Sequence, residues 1–261
     1  MKLLQWLGFG VLSGILTLWL SSCNPTPLPT ITLNFGGAGV VRTAMETLEQ
    51  VYQQEHPNVV LHSLFAGSQI IRQSLERKEP FDAVLLGDMP PLDELQNQGL
   101  IIPSTRQNFL TTDIGIIALA TSSLQISSVQ DLVSDRIKTI AIGSPGLAIG
   151  RYTQSVLDRL GITAEITKKA IIMNVDVREV LQAVESGVAE VGITFLSEAK
   201  ASSRVKFLTF IPTEAHDPIR IGMATVTNSP QPQAVQQYFD FLMSDRAAKI
   251  FEEFGLHRLR S

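Results

Sequence analysis

The chain has 261 residues, 44% of them hydrophobic, with 21 basic side chains against 25 acidic ones and a formal net charge of −4. That length can bury a full core in one or two domains. A single cysteine excludes a disulfide within the chain, and the lack of any clustered basic run argues against nucleic acid as a partner, since phosphate contacts need grouped Lys and Arg.

The N terminus has the order of a secretory signal. Lys2 supplies the positive start, Leu3 to Leu20 an apolar core, and Leu20-Ser21-Ser22-Cys23 a small-residue run before the thiol. A cysteine in that place is the usual acceptor for a bacterial diacylglycerol anchor. Residues 1–22 are therefore expected to be removed and Cys23 to be lipidated, which puts the protein in the periplasm or on the outer face of the cell membrane. A retained signal anchor is the alternative, because an apolar run of about 18 residues can just span a bilayer. Residues 23–30 carry Pro25, Pro27 and Pro29 and read as a semi-rigid spacer.

Beyond the spacer, short apolar strands alternate with amphipathic helices, the pattern of an α/β fold. Ile31 to Phe35 reads as a strand, Gly36 to Gly39 as a turn, and Val41, Ala44, Met45, Leu48, Val51 and Tyr52 fall at helical spacing. Val59 to Phe65 is a second strand, Ser68 caps a second helix that ends before Pro80, and Ala83 to Leu86 is a short buried strand. The pattern restarts at Ile114 to Ala120, with a short helix at Val129 to Leu132. Thr139 to Ile142 then leads into the loop Gly143 to Gly150 and a helix that closes at Gly161. Asp176-x-x-Glu179 resembles a capping box before the helix of Val180, Leu181 and Val184. Val191 to Phe195 and Ile221 to Val226 are further strands, and Val235 to Phe251 forms amphipathic C-terminal helices.

Ligands in open α/β sheets lodge at the carboxyl ends of strands, where helix N-termini point. Gly39, Ser68, Ile149 and Val177 are accordingly candidate anion donors, each just before or inside the first turn of a helix. Backbone amides can bind a small anion whatever the net charge of the chain.

In order and spacing, several stretches resemble the periplasmic molybdate-binding protein family. They are Phe65-Ala66-Gly67-Ser68, Phe81-Asp82-Ala83 with Asp88, Ala141 to Pro145 leading to Gly150-Arg151-Tyr152, Asp176-Val177-Arg178, Gly192 to Phe195, and Phe241-Leu242 to Ile250-Phe251. The resemblance covers nearly all of the chain after the spacer. It implies an α/β, two-lobed type II periplasmic binding protein fold, with mixed, mostly parallel sheets flanked by helices. Crossings are expected near Thr111–Gly115 and Arg220–Ala224, with residues 29–113 and 224–261 as lobe one and 114–222 as lobe two. It further implies a monomer without a cofactor that takes molybdate or tungstate and delivers it to an ABC permease driven by a cytoplasmic ATPase.

In that family the oxyanion is held by neutral groups, which here map to Ser68 and to the amides of Ile149 and Val177. Two positions depart. The family's first serine aligns with Gly39 (with a one-residue slip, Val40), and its tyrosine aligns with Phe195, so two hydroxyl donors are missing. Each such bond to a charged acceptor is worth about 1.5–3 kcal/mol, or roughly 10- to 100-fold in affinity. Arg42, Arg72, Arg151 and Arg178 lie near the helix starts. Arg42 and Arg151 are the accessory candidates, because an inward guanidinium favours phosphate or a phosphonate. Otherwise these arginines lie on solvated faces or pair with carboxylates such as Asp88 or Asp176.

Enzyme signatures are weak. Gly37-Ala38-Gly39 lacks the third glycine of a dinucleotide fingerprint, and Ser68 lacks a Gly-x-Ser-x-Gly elbow. His56, His62, His216 and His257 are scattered without metal-binding spacing. A contact lipoprotein of the same fold, with no small-anion affinity, is the remaining alternative.

Overall fold

The computed structural model describes residues 29–259, so the signal segment and Cys23 lie outside the described residues. The chain begins with β1 (Ile31–Ala38), α1 (Arg42–Glu55), β2 (Val59–Ala66), α2 (Ser68–Glu76), β3 (Ala83–Leu86), α3 (Met89–Asn97) and β4 (Gln107–Thr112). It continues through β5 (Ile114–Leu119), β6 (Ile140–Gly143), α4 (Ala148–Leu160), α5 (Thr163–Thr167) and β7 (Ala170–Met173). Next come α6 (Arg178–Glu185), β8 (Val191–Phe195), α7 (Leu196–Lys200) and β9 (Val205–Phe210). The last elements are β10 (Ile221–Thr225), α8 (Pro232–Leu242), α9 (Asp245–Glu253) and β11 (Leu256–Arg258). Among the described residues, no helix is long and apolar enough to cross a membrane.

Two sheets result, ordered β11-β4-β10-β3-β1-β2 and β7-β6-β8-β5-β9. Both are mixed, with helices against them. Antiparallel pairings outnumber parallel ones, five to four, against the expected mostly parallel balance. The reason is connectivity. β5 pairs antiparallel with both its neighbours and β10 does the same, and each is the first strand after the chain has changed sheets.

The first change of sheet falls at Asp113, between β4 and β5. The return runs through residues 211–220. Ile221 already pairs with Leu110 and Thr225 with Ala83, so β10 belongs wholly to the first sheet and a lobe boundary at residue 222 would cut it. β4, β7, β9 and β11 have no counterpart in the sequence reading. β11 has only three residues, and β4 and β9 carry polar side chains that mask a period-two pattern.

The helices are held by their apolar stripes. Leu48 and Tyr52 of α1 are buried with Phe35 of β1 and Tyr238 of α8, and the Tyr238 ring sits 5.0 Å from Phe35 and 4.8 Å from Tyr52. Each fully buried side chain of this size contributes about 1.5–3 kcal/mol. The same buried cluster continues through Val40, Leu147, Ile149, Val177 and Phe195 into the second lobe, so the seam between the sheets is apolar at its centre.

Candidate functional site

The ends of β1, β2, β6 and β8 meet at this seam, each followed by a turn into a helix. Gly39 and Val40 form a 3-10 turn that runs directly into α1. Ser68 opens α2, Ala148 and Ile149 open α4, Val177 caps α6 and Phe195 caps α7. Together with Ala38, Ala66, Gly67 and Leu147 they surround one cavity of about 20 Å³. The structure thus brings together Gly39, Val40, Ser68, Ile149, Val177 and Phe195. By this volume the cavity holds roughly one water.

No charged side chain lines this cavity. First-turn amides have no intrahelical acceptor and carry the positive end of the helix dipole. Those of Ile149 and Val177 come from lobe two, and Ser68 faces them from lobe one. Ser68 is not the N-cap expected from its sequence position: Gly67 takes that place in an extended conformation, without a side-chain bond. The buried Ser68 Oγ instead accepts the Gly87 N–H at 3.0 Å, which leaves the hydroxyl proton free to donate. The capping box expected at Asp176 and Glu179 is also different. Glu179 accepts from the N–H groups of Asn174 and Val175 at 3.0 and 2.9 Å, ordering the loop ahead of the helix, and Val177 is the cap.

Neither accessory arginine lines the cavity. Arg42 from lobe one pairs with Asp176 of lobe two, donates to the Phe65 carbonyl at 3.1 Å, and lies over the Phe65 ring at 5.3 Å. Arg151 from lobe two pairs with Asp88 of lobe one and donates to the Pro145 carbonyl at 2.7 Å. Arg178 reaches the Thr43 hydroxyl at 2.9 Å and sits 3.7 Å from Glu198, while Arg72 pairs with Glu76 and with Glu94. Each guanidinium has its own carboxylate, which is what keeps it out of the cavity. The pairs Arg42–Asp176 and Arg151–Asp88, with a 3.3 Å bond from the Gly67 N–H to the Val175 carbonyl, hold the two lobes against each other.

The two positions where the resemblance expects a hydroxyl have different surroundings. Phe195 is 1% exposed and packs edge-on against Tyr152, centroids 6.1 Å apart. At Gly39 there is no room for a side chain, because a Cβ built there would overlap the Asp176 carboxylate. Beyond the Phe195–Tyr152 pair lies a larger open recess of about 430 Å³, bordered by Asp88, Arg151, Tyr152 and Arg220. Glu198 had no sequence signal, since Leu196-Ser197-Glu198 reads as an ordinary helix start. It is 2% exposed, and burial pushes its carboxyl up to about 7 despite the neighbouring Arg178.

The geometry can be set beside known proteins. The molybdate-binding protein of Escherichia coli is 26% identical over 227 residues, covering 85% of this chain and 86% of that one. A Bacillus subtilis protein named as a candidate ABC transporter substrate-binding lipoprotein is 22% identical, with 86% of each chain covered. A Pseudomonas aconitate isomerase is 27% identical, covering 91% of this chain and 90% of its own. In structure, the periplasmic molybdate-binding protein of Azotobacter vinelandii superimposes with a TM-score of 0.79 over 88% of this chain and 99% of that one, and at 18% identity it shows the fold. The family model for bacterial extracellular solute-binding proteins matches residues 33–257, nearly the whole described chain. With two mixed α/β lobes closing over a cavity lined by helix starts, the chain belongs to the bacterial extracellular solute-binding protein family.

Proposed function

We propose that this chain captures a tetrahedral oxyanion outside the cytoplasmic membrane and delivers it to an ABC importer. One observation carries the reading: helix-start amides from lobe two and the Ser68 hydroxyl from lobe one converge on a single cavity with an uncharged wall. Amides of this kind bind anions without a counter-charge. The open cleft admits the anion, closure excludes water, and the closed form docks on a permease driven by a cytoplasmic ATPase. A lipid on Cys23 keeps the receptor at high local concentration beside that permease. The proposed act is binding without chemistry and without a cofactor.

Two ligand classes divide this reading. Molybdate or tungstate is supported by the names of the Escherichia coli and Azotobacter relatives. Phosphate or a phosphonate is the second class, and no charged side chain of the cavity wall favours one class over the other. Calorimetric titration of the full-length protein in detergent with molybdate, tungstate, sulfate, phosphate, a phosphonate and thiosulfate tests the capture itself. Binding of at least one anion is expected, weakened about 10- to 100-fold by Ser68→Ala. Silence across the panel overturns the reading and favours a lipoprotein that uses this fold only for contact with a membrane partner.

A further inference from the structure

Behind the uncharged cavity wall stands one buried carboxyl, that of Glu198. Phe195 lines the cavity and caps α7, and Glu198 lies in the first turn of that helix, roughly 4.5 Å further along its axis. α7 also packs on the Gly39–Val41 turn, whose Gly39 and Val40 belong to the same wall from lobe one. Arg178, the cation beside Glu198, directly follows Val177, a third member of the wall. Glu198 is thus enclosed by segments that shape the cavity.

Its pairing is loose. Arg178 Nε lies 3.7 Å from Oε2, beyond hydrogen-bond length, and neither atom has a hydrogen-bond partner among the described residues. Arg178 donates instead to the Thr43 hydroxyl at 2.9 Å. Asp176 and Arg42 also act on Glu198, and they pair with each other. The other charges nearby are engaged elsewhere. In α6, Glu179 accepts from the Asn174 and Val175 amides, and Glu185 accepts from Ser202. Lys206 of β9 donates to the Ser122 carbonyl at 2.6 Å, and His257 lies by Asp113 and Glu252. Lys200 ends α7 itself, and β5 and β8 carry no charged residue. Burial outweighs the two arginines and holds the Glu198 carboxyl at about 7.

An anion in the cavity acts on this group in one direction. Its charge repels an ionised carboxylate across a wall that water does not screen, and so favours the protonated form. The coupling is reciprocal, so a proton on Glu198 tightens the anion by the same factor. Resting on the oxyanion-capture reading, we propose that Glu198 couples capture to a proton, the anion being held together with a proton drawn from solvent onto this carboxyl. Below about 7 the empty site already holds the proton, and the anion meets a neutral surrounding. Above it the anion draws the proton in or faces the charge, so affinity falls as pH rises from about 7 upward.

The test is calorimetry on the full-length protein with molybdate, sulfate and inorganic phosphate at pH 6 and pH 9, for the wild type and for Glu198→Gln. The wild type is expected to bind about 10-fold more tightly at pH 6 than at pH 9. Glu198→Gln, which stays neutral, is expected to keep the low-pH affinity at both values. Comparison with the variant cancels the titration of phosphate itself. Titrations at pH 8 in buffers of different ionisation heat count the proton: the wild type takes up part of a proton per anion bound, and the variant takes up none. An equal pH ratio in wild type and variant, or release of protons on binding, overturns the proposal and leaves oxyanion capture standing. Failure of every anion to bind at either pH overturns the capture reading together with this one.

Discussion

At the scale of single residues, the site departs from the pattern it resembles at two positions, and the two are not equivalent. Gly39 cannot simply be returned to serine, because the space is taken by Asp176. Phe195 can accept the change, since its ring already forms part of the cavity wall. Phe195→Tyr places a hydroxyl on a ring that is 1% exposed. In the empty protein that hydroxyl lacks a partner, and an unsatisfied buried group costs about 1–3 kcal/mol. With an oxyanion present it gains a charged acceptor. The expected result is a lower melting temperature without ligand and about 10-fold tighter oxyanion binding, read by thermal shift and by calorimetry. Unchanged affinity would mean that the aromatic edge does not face the anion.

At the scale of elements, the donors depend on where helices begin. The α4 start is fixed by Gly150. A Cβ at that position would overlap the Ser144 carbonyl, so the loop from Gly143 can fold back over the helix only because residue 150 has no side chain. The clash is with backbone, which cannot rotate away. Gly150→Ala is expected to destabilise the fold by about 2 kcal/mol or more. It should also move the Ile149 amide enough to weaken oxyanion binding, a loss visible in denaturant titration and calorimetry of the same protein. The C-terminal end of α4 is governed by a different rule, with Gly161 at φ 68° in the left-handed region that glycine enters freely. The start of α4, at Ala148, lies inside the loop expected to run to Gly150, whereas its C-terminal end was legible from Gly161. The caps of α2 and α6 were not, because a Ser or Asp near a helix start bonds whatever the tertiary fold brings to it. For Ser68 that partner is Gly87, and for Asp176 it is Arg42.

At the scale of the whole molecule, closure gathers charge at the edges of an apolar seam. Arg42, Asp176, Arg178 and Glu198 form one group there, and α7, which carries Glu198, packs against the Gly39–Val41 turn. Glu198 makes the fold sensitive to pH. Its carboxyl is raised from the ordinary 4.5 to about 7, chiefly by burial. Below 4.5 both folded and unfolded chains hold the proton. Between 4.5 and about 7 the unfolded chain loses it and the folded one keeps it, so stability falls as pH rises across that window and levels off above it. The fall is on the order of 3 kcal/mol. Glu198→Gln is expected to flatten this part of the stability profile, measured by urea unfolding at a series of pH values. A profile of equal slope in the variant would assign the dependence to other groups.

The sequence by itself determined the alternation of strands and helices, the α/β class it implies, and the helix starts at which Gly39, Ser68, Ile149 and Val177 were placed as candidates. These are local properties: hydrophobic period, helix starts and turn residues are readable within a few neighbours. Tertiary structure alone decided what faces those turns. Pairing of the arginines with Asp88 or Asp176 was one expected alternative, but Arg42 and Asp176 are 134 residues apart and only the fold chose which guanidinium meets which carboxylate. The same holds for Arg151 with Asp88, and the burial of Glu198 had no sequence signal at all. The charge character of the seam is a product of two lobes meeting, and a contact between distant segments leaves no periodic trace in either.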